Sequence, residues 1–252
     1  PPAYRNLHIT DKIGAEVNAS YTSSAGITGF GIDMSKIYLR SNNLGERNRF
    51  MTNLFLEHLF KLANDKLDIT PGVAVTYFSD FKFHAFPGLE IGYRLNDHFK
   101  IYGNTGYTYR IPTYTDLFYS DPGTVGNANL EPEEALSVEI GSKYISPKFT
   151  GSFAFFYRDA SSLIDYIKEN ETDRFMATNL RDLYTKGFEI NTSYNFKVNN
   201  LNQNLSLGYT YIEDEVGDLN INFSRYSINS LKHHVTSRLS TQLVKNINFN
   251  VI

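Results

Sequence analysis

From Phe99 to Arg110 the side chains alternate: Phe99, Ile101, Thr105, Tyr107 and Tyr109 fall on one side, Lys100, Tyr102, Asn104, Thr108 and Arg110 on the other. A period of two belongs to an extended strand. One side is apolar and aromatic, and the other is polar and ends on an arginine. A soluble sandwich core would not bury that polar side, whereas the lumen of a transmembrane β-barrel would.

The same period recurs along the chain. Ile13, Ala15, Val17, Ala19 and Tyr21 form a first set, and further sets fall near residues 29–39 and 49–60. Leu67 to Tyr77, Leu89 to Leu95, Leu136 to Tyr144, Phe149 to Tyr157, Phe188 to Phe196 and Leu205 to Tyr211 follow the same rule. Val235, Leu239 and Leu243, then Ile247, Phe249 and Val251, bring the expectation to about twelve antiparallel strands. Residues 51–62 are ambiguous, because Met51, Phe55, Leu59 and Leu62 also fit one face of a helix.

The connections predict a rhythm. Residues 22–26, 61–66, 95–98, 145–148, 197–204 and 244–246 read as short turns; residues 40–48, 111–134, 159–182 and 212–232 read as longer segments, with 79–85 breaking the contrast. Short turns at one rim and long loops at the other are the pattern of an outer-membrane barrel. A soluble propeller or stacked sandwich has no reason to keep its long loops on one side.

Composition agrees. Of 252 residues, 18 are Tyr and 19 are Phe, which suits aromatic girdles, although Trp is absent. The apolar runs fall far short of the roughly 18 residues of a membrane helix, so any crossing is made by strands. A mean hydropathy of -0.34 fits strands with one polar face. Net charge of -3 presents no basic field for nucleic acid. The absence of cysteine suits an exported chain.

Residues 110–133 read RIPTYTDLFYSDPGTVGNANLEPE. This segment resembles the "FRAPT…DLYY…GNPNLKPE" signature of TonB-dependent outer-membrane receptors, and its SDPGTVGN centre is most similar to the vitamin B12 transporter branch. Tyr109, Arg110, Ile111 and Pro112 stand where that pattern has Phe-Arg-Ala-Pro. Asn129, Leu130, Glu131, Pro132 and Glu133 stand at its Asn-Leu-Lys-Pro-Glu.

The resemblance implies an all-β, transmembrane antiparallel barrel of 22 strands, of which this chain would supply about twelve. Residues 1–252 would then be a single barrel domain, incomplete at both ends and without the plug that contacts TonB. It also implies residence in the bacterial outer membrane, contact with its lipid, a possible surface lipoprotein partner, and uptake of cobalamin or, alternatively, a ferric siderophore. No cofactor or resident metal is implied. A passive porin would share the strands without the 110–133 segment, and an outer-membrane enzyme would need an oriented nucleophile and base.

Tyr114, Phe118, Tyr119, Asn127 and Asn129 are the candidate substrate-binding residues, since aromatic rings beside amides grip a large amphipathic ligand by stacking and hydrogen bonding. The competing reading is architectural, with the Pro-Thr and Leu-Glu-Pro-Glu elements stapling a loop at the barrel mouth. Arg110, Glu139, Lys143, Glu189 and Arg238 fall at inward positions and are expected to face the lumen. The acidic residues Asp116, Asp121, Glu131, Glu133 and Glu134, and likewise Glu213, Asp214, Glu215 and Asp218, lack the spacing of a calcium loop and read as solvated. His233 and His234 point to opposite sides of a strand, which makes a shared metal difficult.

Overall fold

Alternating sequence becomes alternating structure. The computed structural model describes residues 6–217, 222–225 and 231–251. Its long strands are β1 (His8–Ser23), β2 (Gly26–Ser41), β3 (Gly45–Leu62), β4 (Leu67–Phe78), β5 (Lys82–Arg94), β6 (Phe99–Arg110), β8 (Glu133–Ile145), β9 (Phe149–Lys168), β10 (Phe175–Val198), β11 (Leu201–Val216), β13 (His233–Val244) and β14 (Ile247–Val251). Between them lie the helix α1 (Tyr114–Phe118) and the two-residue strands β7 (Thr124–Val125) and β12 (Phe223–Ser224). The long strands make one up-and-down antiparallel path from β1 to β14. The expected twelve strands are therefore present, in chain order, in a single sheet.

Register propagates one apolar face across the sheet. Ile13, Val17 and Tyr21 on β1 are 70%, 66% and 65% exposed, which a water-soluble fold would not tolerate over so wide an area. The same face continues through Leu54, Val73, Leu89, Ile140, Phe155, Ile190, Leu207 and Val235. Such a face needs lipid.

Residues 51–62 belong to the 18-residue strand β3, not a helix. Met51, Phe55 and Leu59 lie on the polar face while Leu54, Leu56, Phe60 and Leu62 lie on the apolar one, so a strand with apolar residues on both sides imitates a helical stripe. Phe55 fills the space over Gly31, where a Cβ would stand 2.4 Å from its ring.

The connections also differ from the expectation. Strands consume the segments at 40–48 and 159–182: the β2–β3 connection is residues 42–44, and β9 and β10 extend to residues 169–174. The connection at 79–85 shrinks to residues 79–81, and the one at 197–204 to Asn199 and Asn200, both at positive φ (50° and 65°), as a tight hairpin turn requires. Residues 40–48 are hydrophilic and so resemble a loop, while in 159–182 apolar residues such as Leu163, Ile164, Tyr166 and Ile167 do not alternate and so give no strand period. Residues 111–132 remain a true long connection, as does the segment after β11, which includes Asp218, outside the described residues.

A membrane crossing takes about 9–11 strand residues, so the 20 residues of β9 and 24 of β10 project well beyond one. Ser162, at φ 56°, and register shifts around Arg181 mark a bulge where the projecting part begins. Above it, β7 pairs parallel with β10 and β12 pairs antiparallel with β9. Four strands in the order β7–β10–β9–β12 thus gather at one rim.

Candidate functional site

Segment 111–132 folds on local signals. Pro112 is buried, and Thr113 caps α1: its hydroxyl accepts the Asp116 N–H at 3.1 Å while the Asp116 carboxylate accepts the Thr113 N–H at 2.9 Å. This reciprocal capping box satisfies donors a five-residue helix would otherwise leave free. The chain then doubles back. Gly126 passes so close to α1 that a Cβ there would stand 2.8 Å from backbone atoms of Asp116, Leu117 and Phe118, so only glycine fits. The Asn127 N–H donates to the Asp116 carbonyl at 2.8 Å, and the Asn127 side chain accepts the Asn129 N–H at 2.9 Å.

Beneath this loop lies a hydrophobic core built from Leu117, Leu130, Ile164, Tyr166 and Ala177, flanked by Phe81, Phe118 and Phe175. Asp116 ties the loop to the hairpin, accepting the Tyr166 hydroxyl at 3.1 Å. Arg110 forms a two-pronged ion pair with Glu133, closing the base of the loop, and lies 3.7 Å from Asp116. Glu133 also accepts the Ile164 N–H at 2.9 Å, and Asn179 brackets Glu131, accepting its N–H at 2.8 Å and donating to its carbonyl at 2.7 Å. Of the acidic residues expected to be solvated, Asp116, 9% exposed, and Glu133 are instead spent on these contacts, whereas the Glu131 and Glu134 side chains are exposed.

The aromatic candidates sit against arginines from β3. The Arg47 guanidinium lies 3.7 Å over the Phe118 ring and that of Arg49 lies 4.9 Å over Tyr114, while Tyr114 and Phe118 stack on each other. Arg49 is held by Asp80 at 2.7 Å and donates to the Pro112 carbonyl at 3.2 Å. Burial pushes the Tyr114 phenol up, against the downward pull of Arg49. Its hydroxyl is buried and has no hydrogen-bond partner among the described residues. Tyr119 donates to Asp121 at 3.0 Å, and Asp121 is held below the usual carboxylate range chiefly by the Gly123 N–H. Tyr114, Phe118, Tyr119 and Asn127 are thus gathered in one folded loop, while Asn129 is exposed at its edge.

Arg47 and Arg49, and the projecting hairpin's own set, escaped the sequence reading. Lys168 lies about 5 Å from the rings of both Phe175 and Phe223, and Arg225 lies 4.8 Å from Phe175 and 5.8 Å from Tyr166. Arg174 reaches Ser120 and the Asp121 carbonyl at 3.4 Å. Only the pairing of distant strands brings these together; spacing along the chain carries no sign of it.

Register puts Arg110, Glu139, Lys143, Glu189 and Arg238 on the polar face, away from the rim loop except for Arg110. Lys143 lies 5.2 Å over the Tyr102 ring, Glu139 accepts from Asn104 at 3.5 Å, and Glu189 accepts from Asn191. Lys143 and Arg238 line one groove with Asn191 and Ser206. His233 meets the Tyr209 hydroxyl at 2.8 Å on the apolar face, while His234 pairs with Thr210 on the polar one. Among the described residues, no three His, Cys, Asp or Glu side chains converge on a metal position.

A sheet whose long strands all pair antiparallel, with a lipid-facing side and a folded rim loop, matches known barrels. The siderophore receptor PirA from Pseudomonas aeruginosa superposes with a TM-score of 0.74 at 17% identity, covering 97% of this chain and 45% of that one. The FrpB iron transporter from Neisseria meningitidis gives 0.71 at 13% identity, covering 97% and 42%. In sequence, the vitamin B12 transporter BtuB of Vibrio vulnificus is 25% identical over 112 residues, 44% of this chain and 18% of that protein. The chain spans less than half the length of each of these proteins. The family described as TonB dependent receptor-like, beta-barrel matches residues 4–246, nearly all of the sequence, and this chain belongs to that family.

Proposed function

We propose that this chain forms part of the wall and outer rim of a TonB-dependent transporter in the bacterial outer membrane, one that takes up a nutrient too large and scarce for passive diffusion, with cobalamin or a related corrinoid as ligand. The observation that carries this reading is the 110–133 segment, a rim loop with aromatic and amide side chains in one folded unit. Its SDPGTVGN centre and the similarity to a vitamin B12 transporter support the corrinoid. In the complete receptor a plug would fill the polar face, where Arg110, Glu139, Lys143, Glu189 and Arg238 line the lumen, and TonB would act on that plug.

A ferric siderophore is the second reading, favoured by the cations Lys168, Arg174 and Arg225 around the projecting hairpin, which suit an anionic ligand. Titrating the full-length receptor with cobalamin and with ferric siderophores decides between them. Replacing Tyr114, Phe118 and Asn127 by Ala is expected to weaken binding by at least about 1 kcal/mol, given roughly 0.5–1.5 kcal/mol per aromatic contact beyond burial. Tyr114→Phe tests the hydroxyl without removing the ring over which Arg49 sits. Unaltered affinity with a lowered melting temperature assigns the loop to architecture alone, and wild-type receptor that ignores cobalamin refutes the corrinoid.

A further inference from the structure

Lys36, Arg40 and Lys186 lie by register on the apolar face of the sheet. Two of them have protein anions. Arg40 pairs with Asp11 and Lys186 with Glu213, each at 3.3 Å. Lys36 has no carboxylate at ion-pairing distance among the described residues; its ammonium instead lies 4.9 Å over the ring of Tyr38.

The surroundings of Lys36 make this unusual. Its partner on β1 is Ile13 and its partner on β3 is Phe50, both exposed to whatever bathes this face. One row toward the turn at residues 24–25 stand Ala15, Met34 and Thr52; one row toward the turn at residues 42–44 stand Asp11, Tyr38 and Asn48. Lys36 therefore sits on the last apolar row beneath a girdle tyrosine. A bare ammonium deep in lipid costs about 2–4 kcal/mol, falling toward zero near the interface, so the side chain must run upward past Tyr38 to the headgroup level.

We propose that Lys36 binds the phosphate of an anionic lipid headgroup, in a notch walled by Ile13, Tyr38 and Phe50. The ammonium donates to phosphate oxygens, Tyr38 backs the cation, and Ile13 and Phe50 pack on the upper acyl carbons. Charge complementarity selects this occupant, because a lipid phosphate supplies the counter-charge that no carboxylate among the described residues gives Lys36. The inference rests on the outward assignment of the apolar face and not on the identity of the transported ligand.

The full-length receptor is reconstituted in nanodiscs of phosphatidylcholine alone or with phosphatidylglycerol, and its melting temperature and retained lipids by native mass spectrometry are recorded. Phosphatidylglycerol is expected to raise the melting temperature and to persist as a bound adduct. Lys36→Met, which suits an apolar lipid-facing position, should insert normally and lose both effects; Lys36→Arg should keep them, as should Lys186→Gln. Full retention of the shift in Lys36→Met overturns the proposal. So does an equal shift from inorganic phosphate in detergent, which would mark a site for a soluble anion. Ligand titrations should be the same in Lys36→Met and wild type, so failure here is separable from failure of the transport reading.

Discussion

The Tyr166 hydroxyl donates to the Asp116 carboxylate at 3.1 Å, joining the projecting β9–β10 hairpin to helix α1 across 50 residues of sequence. Both side chains are buried, so the bond is made away from water, where a hydrogen bond to a charged group contributes about 1.5–3 kcal/mol. Asp116 is also the partner of the helix cap, so one carboxylate supports the loop both internally and against its neighbour.

Tyr166→Phe is accordingly expected to loosen the loop by roughly 1.5–3 kcal/mol while leaving the sheet below untouched. Limited proteolysis of the full-length receptor should show faster cleavage near Gly123, with an unchanged resistance of the barrel to heat in detergent. Equal cleavage of variant and wild type would show that the cap alone holds the loop.

Depth in the bilayer is tested by arginine. Val138 and Ile140 are 43% and 62% exposed on the apolar face, whereas Ser137 pairs with Gly106 and Arg158 on the polar face. Val138→Arg or Ile140→Arg should cost about 2–4 kcal/mol of insertion if near the midplane, and Ser137→Arg much less. Folding titrations into lipid vesicles measure this directly, and a larger loss at position 137 would exchange the two faces.

Orientation follows from the alternation of connections. A short epitope tag at Gly123 or Glu171 should be bound by antibody on intact cells, while one at Asn96 or Asn199 should be reached only after the outer membrane is opened. Equal labelling at all four positions would contradict a single outward rim.

The strands were legible in the sequence because lipid on one side and water on the other impose a period of two, which the sets from Ile13 to Val251 carry except at residues 51–62, where apolar side chains stand on both faces. The helix α1 was not, since five residues are too few to show a 3.6 period and its evidence is the Thr113–Asp116 cap. In the candidate site, the grouping of Tyr114, Phe118 and Asn127 was readable as one segment, but Arg47, Arg49 and Tyr166 were not. Their places depend on which strands pair and how far β9 and β10 project, and neither quantity is encoded by spacing along the chain.

The small strands β7 and β12 hang on opposite arms of one hairpin, so two connections that are remote in sequence share a single post. Residues between the anchor points can lengthen or change at little mechanical cost. A shift at Thr124 or Phe223, by contrast, pulls on the post itself and moves the other loop with it. The hairpin is thus a common footing for both small strands, and its tilt sets the position of β7 and β12 together.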